Sequence, residues 1–358
     1  MSTSHVTREG LRGTRPDHDA VTGDKILSPA ERSRRGKRRG EQPMVPPAEF
    51  GSYYGQPILN PPVWEAPDIP GYLFLGGLAG GSSLLAAGAG LTGRPVLATV
   101  AKTGAAGAGV LSLAALVHDL GRPARFLNML RVFKVTSPMS VGSWLLGAYV
   151  PAAGTAALTA LTGRARFLGT AATAGSAVLG PAVASYTAAL ISDTAVPAWH
   201  DGYPEMPFVF TGSGAMAAGG LGLLGTAVLA APPSEAAPAR TMAVLGAAME
   251  TAAMERMTRR TGLTGEPYSR GRGGTYVKAG KILAALGAAG VVASTPGLVA
   301  GRLIPGRAGR VLTALSGAAL LAGSAATRWG IFHAGLTSAK DPKYTVVPQR
   351  QRLNKAPG

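Results

Sequence analysis

The 358-residue sequence contains no cysteine. That excludes disulfides, thiolate chemistry, cysteine-ligated zinc and any iron–sulfur cluster held by the chain itself. Charge is scarce too, with Asp, Glu, Lys and Arg together making 15% of the residues. They are missing altogether from Tyr72 to Gly93, Met139 to Gly163, Phe167 to Ser192 and Met206 to Ser234. Each run is long enough to cross a hydrocarbon core of about 30 Å at 1.5 Å rise per residue. No phosphate-binding glycine loop is present, and no His/carboxylate spacing suits a metal hydrolase or a nucleophilic enzyme. The chain therefore reads as an all-α integral membrane protein with no metal site and no catalytic residues of its own.

What the sequence has in abundance agrees. Its 51 glycines, with many alanines, suit helices that approach closely in lipid, where small residues let backbones touch. A formal net charge of +17 would fit a nucleic-acid partner, but the basic residues fall in tails and loops, as the positive-inside rule expects. Residues 1–68 form a separate region rich in Arg, Lys, Pro and Gly, with the run Arg32-Ser33-Arg34-Arg35-Gly36-Lys37-Arg38-Arg39. Low hydrophobicity and high charge predict disorder there. An arginine pair also opens twin-arginine export signals, yet no apolar stretch follows until Tyr72, which favours a solvated basic tail near anionic lipid or a partner.

Eight spans are predicted, at 72–92, 96–117, 141–162, 168–191, 208–231, 239–257, 279–300 and 311–333. They make a transmembrane domain over 69–336 and leave a tail over 337–358. The sixth span is the least apolar, being interrupted by Arg240, Glu250 and Glu255. With all eight crossing, one side of the membrane carries 26 Lys and Arg and the other 7. Dropping the sixth would move the basic 256–281 loop to the poorer side, so the charge rule favours eight crossings of the cell's inner (cytoplasmic) membrane with both termini cytoplasmic. Phe74-Leu75-Gly76-Gly77 and Phe210-Thr211-Gly212-Ser213 open spans one and five alike, hinting at two four-helix bundles. Glycine-rich helices also match by chance, and duplication stays open.

The loop after span two reads His118-Asp119-Leu120-Gly121-Arg122-Pro123-Ala124-Arg125-Phe126-Leu127-Asn128-Met129-Leu130-Arg131, followed by Thr136-Ser137-Pro138-Met139-Ser140 and Trp144. Such a mixture of charge pairs, aromatics and helix breakers is unlike a simple connector. Its Asp-Leu-Gly-Arg-Pro and Thr-Ser-Pro-Met-Ser pieces resemble the signature of the NrfD/polysulfide-reductase membrane-subunit family. So do the stretch Tyr72 to Gly81, Tyr186-Thr187 with Pro197-Ala198-Trp199, and the closing Ala334-Gly335 to Asp341-Pro342. The resemblance covers roughly residues 65–345, and the two-part loop is its specific element.

The resemblance implies an integral membrane subunit of a modular oxidoreductase that works with a ferredoxin-like iron–sulfur subunit and a molybdenum-containing catalytic subunit. It implies electron exchange with a membrane quinone, menaquinone by expectation, and no haem. A cysteine-free bundle fits this scheme, since clusters must then come from another chain. Two rivals stand beside it: a secondary transporter, suited by Gly-broken helices and a buried Glu250, and a purely structural anchor.

A two-electron quinone reaction exchanges two protons, so its site needs polar groups at the membrane edge. His118 and Asp119 come first, because His titrates near neutrality and an adjacent carboxylate can orient or recharge it. Against that, Asp119 has the competing task of holding the loop through Arg122 or Arg125. Arg122, Arg125 and Arg131 are expected to dock the partner. The 192–207 loop carries Asp193, His200, Asp201 and Glu205 among Trp199 and Tyr203 with no basic residue, which fits a quinol mouth, a docking patch or an ordinary surface loop. Tyr72 and Tyr186 offer hydroxyls to a quinone carbonyl, or belong to the aromatic belt. Glu250 is the intramembrane candidate for proton transfer, with Asp119 at the edge; a structural pair with Arg328 is the alternative. His118 and His333 lie near one membrane side, but no second histidine pair exists for a haem relay.

Overall fold

Prolines and glycines set the helix boundaries. The computed structural model describes residues 5–7, 10–12, 58–60, 62–122, 124–295 and 306–355. Helices α1 (Asp68–Leu91), α2 (Pro95–Asp119), α3 (Arg125–Met129), α4 (Pro138–Thr162) and α5 (Arg166–Ser192) are followed by α6 (Pro197–Asp201), α7 (Met206–Val228) and α8 (Ala237–Thr261). A 3-10 turn, Gly262–Tyr268, then leads to α9 (Gly271–Ala293), α10 (Gly306–Lys340) and α11 (Lys343–Lys355). Helices α2, α4, α6, α7 and α8 all carry Pro in their first two positions, where its missing N–H costs nothing and its fixed φ is already helical. Ser137 caps α4 by accepting from the Ser140 amide at 3.4 Å. Gly163 closes the same helix at φ 69°, a left-handed conformation that a Cβ would oppose.

The eight long helices stand where the eight spans are predicted. Seven of them are long and apolar enough to cross a membrane by length and composition, counted among the described residues. The remaining one is α8, the span weakened by Arg240, Glu250 and Glu255. It packs antiparallel on α7 along its length, with Gly212 against Glu250 and Gly219 against Ala243. Two boundaries differ from expectation. The seventh span begins at Gly271 rather than 279 because Arg272 and Lys278 are absorbed into α9, and the eighth runs from Gly306 to Lys340. The expected 256–281 loop is consequently mostly helix: the last turn of α8, the 3-10 turn and the start of α9.

The chain divides into two units, Val63–Gly335 and Met1–Pro62 with Leu336–Gly358. In the latter, strands β1 (His5–Thr7) and β2 (Gly10–Arg12) pair antiparallel with His5 opposite Arg12. Most of the tail expected to be disordered lies outside the described residues. Within Val63–Gly335, α1 packs on α2 and α5, and α4 on α2 and α5. Helix α7 packs on α8 and, through Gly220 against Gly317, on α10, while Gly280 sets α9 against Gly323 of α10. These are two four-helix groups. They meet where α1 lies against α7: a Cβ on Gly214 would stand 2.7 Å from the Gly77 carbonyl oxygen and one on Gly81 2.6 Å from the Gly214 carbonyl oxygen, so the seam closes only with glycine on both sides.

Candidate functional site

Helices α1 and α2 form a hairpin about the turn at Gly93, and residues equally distant from that turn meet. Asp68 and His118, each 25 positions from Gly93, are therefore neighbours: His118 Nδ1 lies 2.7 Å from Asp68 Oδ2. A carboxylate only accepts, so Nδ1 carries the proton and Nε2 is left for another partner. The imidazole is 80% exposed and the carboxylate 23%, which places the pair on the rim of the bundle rather than in its core. The Asp119 carboxylate accepts from the Glu65 amide, and Arg125 Nη1 donates to the Leu120 carbonyl at 3.3 Å. Asp119 thus fastens the segment leading into α1, not the loop through Arg122 or Arg125.

Below that rim two tyrosines meet edge to face. Tyr72 and Tyr186 have ring centroids 6.5 Å apart, and the Tyr186 ring occupies the space that a side chain on Gly142 of α4 would need. Ser112 Oγ donates to the Tyr72 carbonyl at 3.2 Å, tying α2 to α1. The Tyr186 hydroxyl is buried without a hydrogen-bond partner among the described residues, as is the hydroxyl of the adjacent Thr187. Buried hydroxyls are ordinarily paired, as Tyr149 is with Ser83 Oγ at 2.7 Å in the same helix group.

The acidic, aromatic 192–207 segment is a clasp in which Trp199 and Glu205 are buried while Asp193, His200 and Tyr203 stay exposed. Trp199 is fully buried; its Nε1 donates to the Ile331 carbonyl at 2.8 Å, its ring fills the place of a Gly335 side chain, and Trp64 lies 5.6 Å away. The Tyr268 hydroxyl, its phenol pushed up by burial, donates to the Ala198 carbonyl at 2.9 Å. Glu205 is buried and takes Arg260 through Nη2 at 2.7 Å and Nε at 2.9 Å, with Arg256 behind it at 3.4 Å. The Arg260 guanidinium holds the Glu205 carboxyl below the usual carboxylate range. Asp201 accepts from Thr264 at 2.7 Å. Of the two expected ligand residues here, Asp193 is exposed, and His200 Nδ1 donates to the Ser192 carbonyl at 3.1 Å, which again leaves Nε2 outward.

A second polar centre lies inside the bundle. Glu250 of α8 accepts from Thr327 at 2.5 Å. Arg328, the next residue on α10, is fully buried; it donates Nη2 to the Phe210 carbonyl at 2.6 Å and stacks its Cζ 3.6 Å from the Phe210 ring centroid. A Cβ on Gly77 would stand 3.2 Å from Nη2. Ser213 also stands within hydrogen-bonding reach of the Glu250 carboxyl; among the described residues Arg328 Nε and Nη1 are buried without hydrogen-bond partners, and no direct ion pair joins Glu250 to Arg328. Ser213 and Ser324 pair beside them at 2.8 Å.

Sequence reasoning missed Asp68, Thr327 and Phe210. Only Asp68 had a signal, the symmetry of the hairpin about Gly93. The two histidines weighed for haem are engaged apart, His118 with Asp68 and His333 stacked on Tyr276 at 5.5 Å.

A bundle of long apolar helices with a polar rim and a buried Glu–Arg centre defines a multi-pass membrane protein. A family model described as polysulphide reductase, NrfD, matches residues 58–338, and the chain belongs to that family. Its members are membrane subunits of oxidoreductases and partner with oxidoreductase catalytic subunits. No curated protein matches the chain significantly.

Proposed function

We propose that this chain is the quinone-reactive subunit of its oxidoreductase, exchanging electrons between a docked ferredoxin-like iron–sulfur subunit and a quinone held among α1, α2, α4 and α5. The observation that carries the reading is the unpartnered Tyr186 hydroxyl, buried beside Tyr72 under the His118–Asp68 rim. A quinone presents two carbonyl oxygens on an apolar ring, and this part of the bundle offers hydroxyl and imidazole donors on apolar helix faces. Tyr186 Oη and Tyr72 would hold one carbonyl and His118 Nε2, at the rim, the other. When bound, the quinone supplies two-electron chemistry that the chain lacks. The chain's own residues bind and orient it and move protons: Asp68 fixes the tautomer of His118, whose Nε2 exchanges a proton with the aqueous edge.

Glu250 is the proton carrier proposed for the interior, because its buried carboxyl, held by Thr327, is a titratable acid at membrane depth whose ionised form Arg328 nearby offsets. Asp193 and His200 stand on the outer side of the clasp, where they are proposed to serve proton exchange with water. The charge rule supports a cytoplasmic location for this end and for both termini. The experiment compares turnover of the intact complex with a quinone analogue and with a soluble dye. His118→Gln, Asp68→Asn and Tyr186→Phe are expected to slow quinone turnover by roughly tenfold or more, one lost hydrogen bond each, while dye-linked activity stays intact. Unchanged quinone kinetics in all three would remove the cleft from the function.

A further inference from the structure

The connection between α2 and α4 is the most exposed apolar stretch near the rim. From Val117 to Val141 no described residue is buried, yet Leu127, Val132, Phe133 and Val135 are 67%, 67%, 57% and 75% exposed. A water-facing loop would not present four such side chains together. Their depth explains them. Phe133 meets Trp144 edge to face at 6.2 Å, and Leu130 Cδ2 stands 3.8 Å from the position of a Cβ on Gly147. Trp144 and Gly147 lie six and nine residues inside α4, about 9 and 13 Å along its axis. The connection therefore doubles back and lies down the outer face of α4. Around its apolar residues stand Arg122, Arg125, Arg131 and Lys134, all exposed and without an acidic partner among the described residues.

We propose that residues 124–135 form an interfacial foot that lies in the membrane surface and binds anionic phospholipid headgroups through Arg125, Arg131 and Lys134. The apolar side chains enter the acyl region at the level of the first turns of α4, and the long cationic side chains snorkel outward to the phosphates. An anionic bilayer is the occupant that matches both features, since Leu130 and Phe133 pack at the level of Gly147 and Trp144, deeper than a protein partner docking from water would reach. Arg125 and Arg131 are thereby assigned to lipid instead of to the partner subunit that the sequence alone favoured. This inference is independent of the quinone reading, because it concerns the outer face of α4 and not the cleft.

The absence of cysteine gives a direct test. Val132→Cys and Val135→Cys, each in the full chain reconstituted in vesicles and carrying a nitroxide, are expected to be relaxed by oxygen more than by a water-soluble nickel complex. The reverse order would put the foot in water and overturn the proposal. In vesicles of phosphatidylglycerol and phosphatidylcholine, native mass spectrometry after gentle extraction is expected to find phosphatidylglycerol retained by the unaltered chain. The triple variant Arg125→Gln, Arg131→Gln, Lys134→Gln should retain it on the order of 100-fold more weakly, at roughly fivefold per cation. Equal retention, or retention unchanged while the catalytic subunits no longer co-purify, would contradict lipid binding and assign the residues to a protein partner.

Discussion

Arg328 is the most demanding single residue in the protein. A guanidinium buried between α1, α7 and α10 loses its hydration, and one carbonyl, one aromatic face and a nearby carboxylate are what it receives. Removing either charge from such a centre strands the other. Arg328→Leu is therefore expected to destabilise the detergent-solubilised protein by about 3–5 kcal/mol, and Glu250→Leu by a comparable amount. The double variant should lose clearly less than the sum, because neither charge is left alone. Thermal unfolding of the four proteins measures the coupling; strict additivity would show that the two residues do not share a centre. Glu250→Gln keeps shape and hydrogen bonding, so it separates proton transfer from stability.

At the scale of elements, the clasp formed by α6, α8 and the 3-10 turn was the least legible part of the sequence. Its Asp, Glu, Trp and Tyr have the composition of a surface loop. What buries Trp199 and Glu205 is tertiary: Gly335 opens a slot for Trp199, and Arg260 arrives from 55 positions away to meet Glu205. The helices themselves were legible because lipid demands apolar runs closed by Pro and Gly, and the Asp68–His118 pair was legible in principle from the Gly93 hairpin. The start of α9 lies earlier than the apolar run alone implies, because a helix end at an interface accommodates Arg272 and Lys278. The clasp should also be pH-sensitive. Arg260 depresses the Glu205 carboxyl below its ordinary value of 4.5, so the stability that Glu205 contributes is fully present above that value and is lost as pH falls through the depressed one. Thermal unfolding of the unaltered protein and Glu205→Gln should show a stability gap of about 1–3 kcal/mol at pH 7, for a buried carboxylate with a half-exposed partner, that closes as the medium is acidified through the depressed carboxyl value. A gap independent of pH would mean that the ion pair contributes nothing.

For the whole molecule, two four-helix groups meet at the Gly77–Gly214 seam, and the polar centres divide between them. The first group holds the His118–Asp68 rim and the Tyr72–Tyr186 cleft; the second holds Glu250 and places Arg328 against Gly77 of the first. The measurement that tests this account most directly is equilibrium titration of the full chain, purified without its catalytic partners, with a quinone analogue. The account predicts saturable binding at one site per chain, weakened about 10- to 100-fold by Tyr186→Phe or His118→Gln and unaffected by Glu250→Gln. Absence of saturable binding, or binding that those two substitutions leave unchanged, would contradict it.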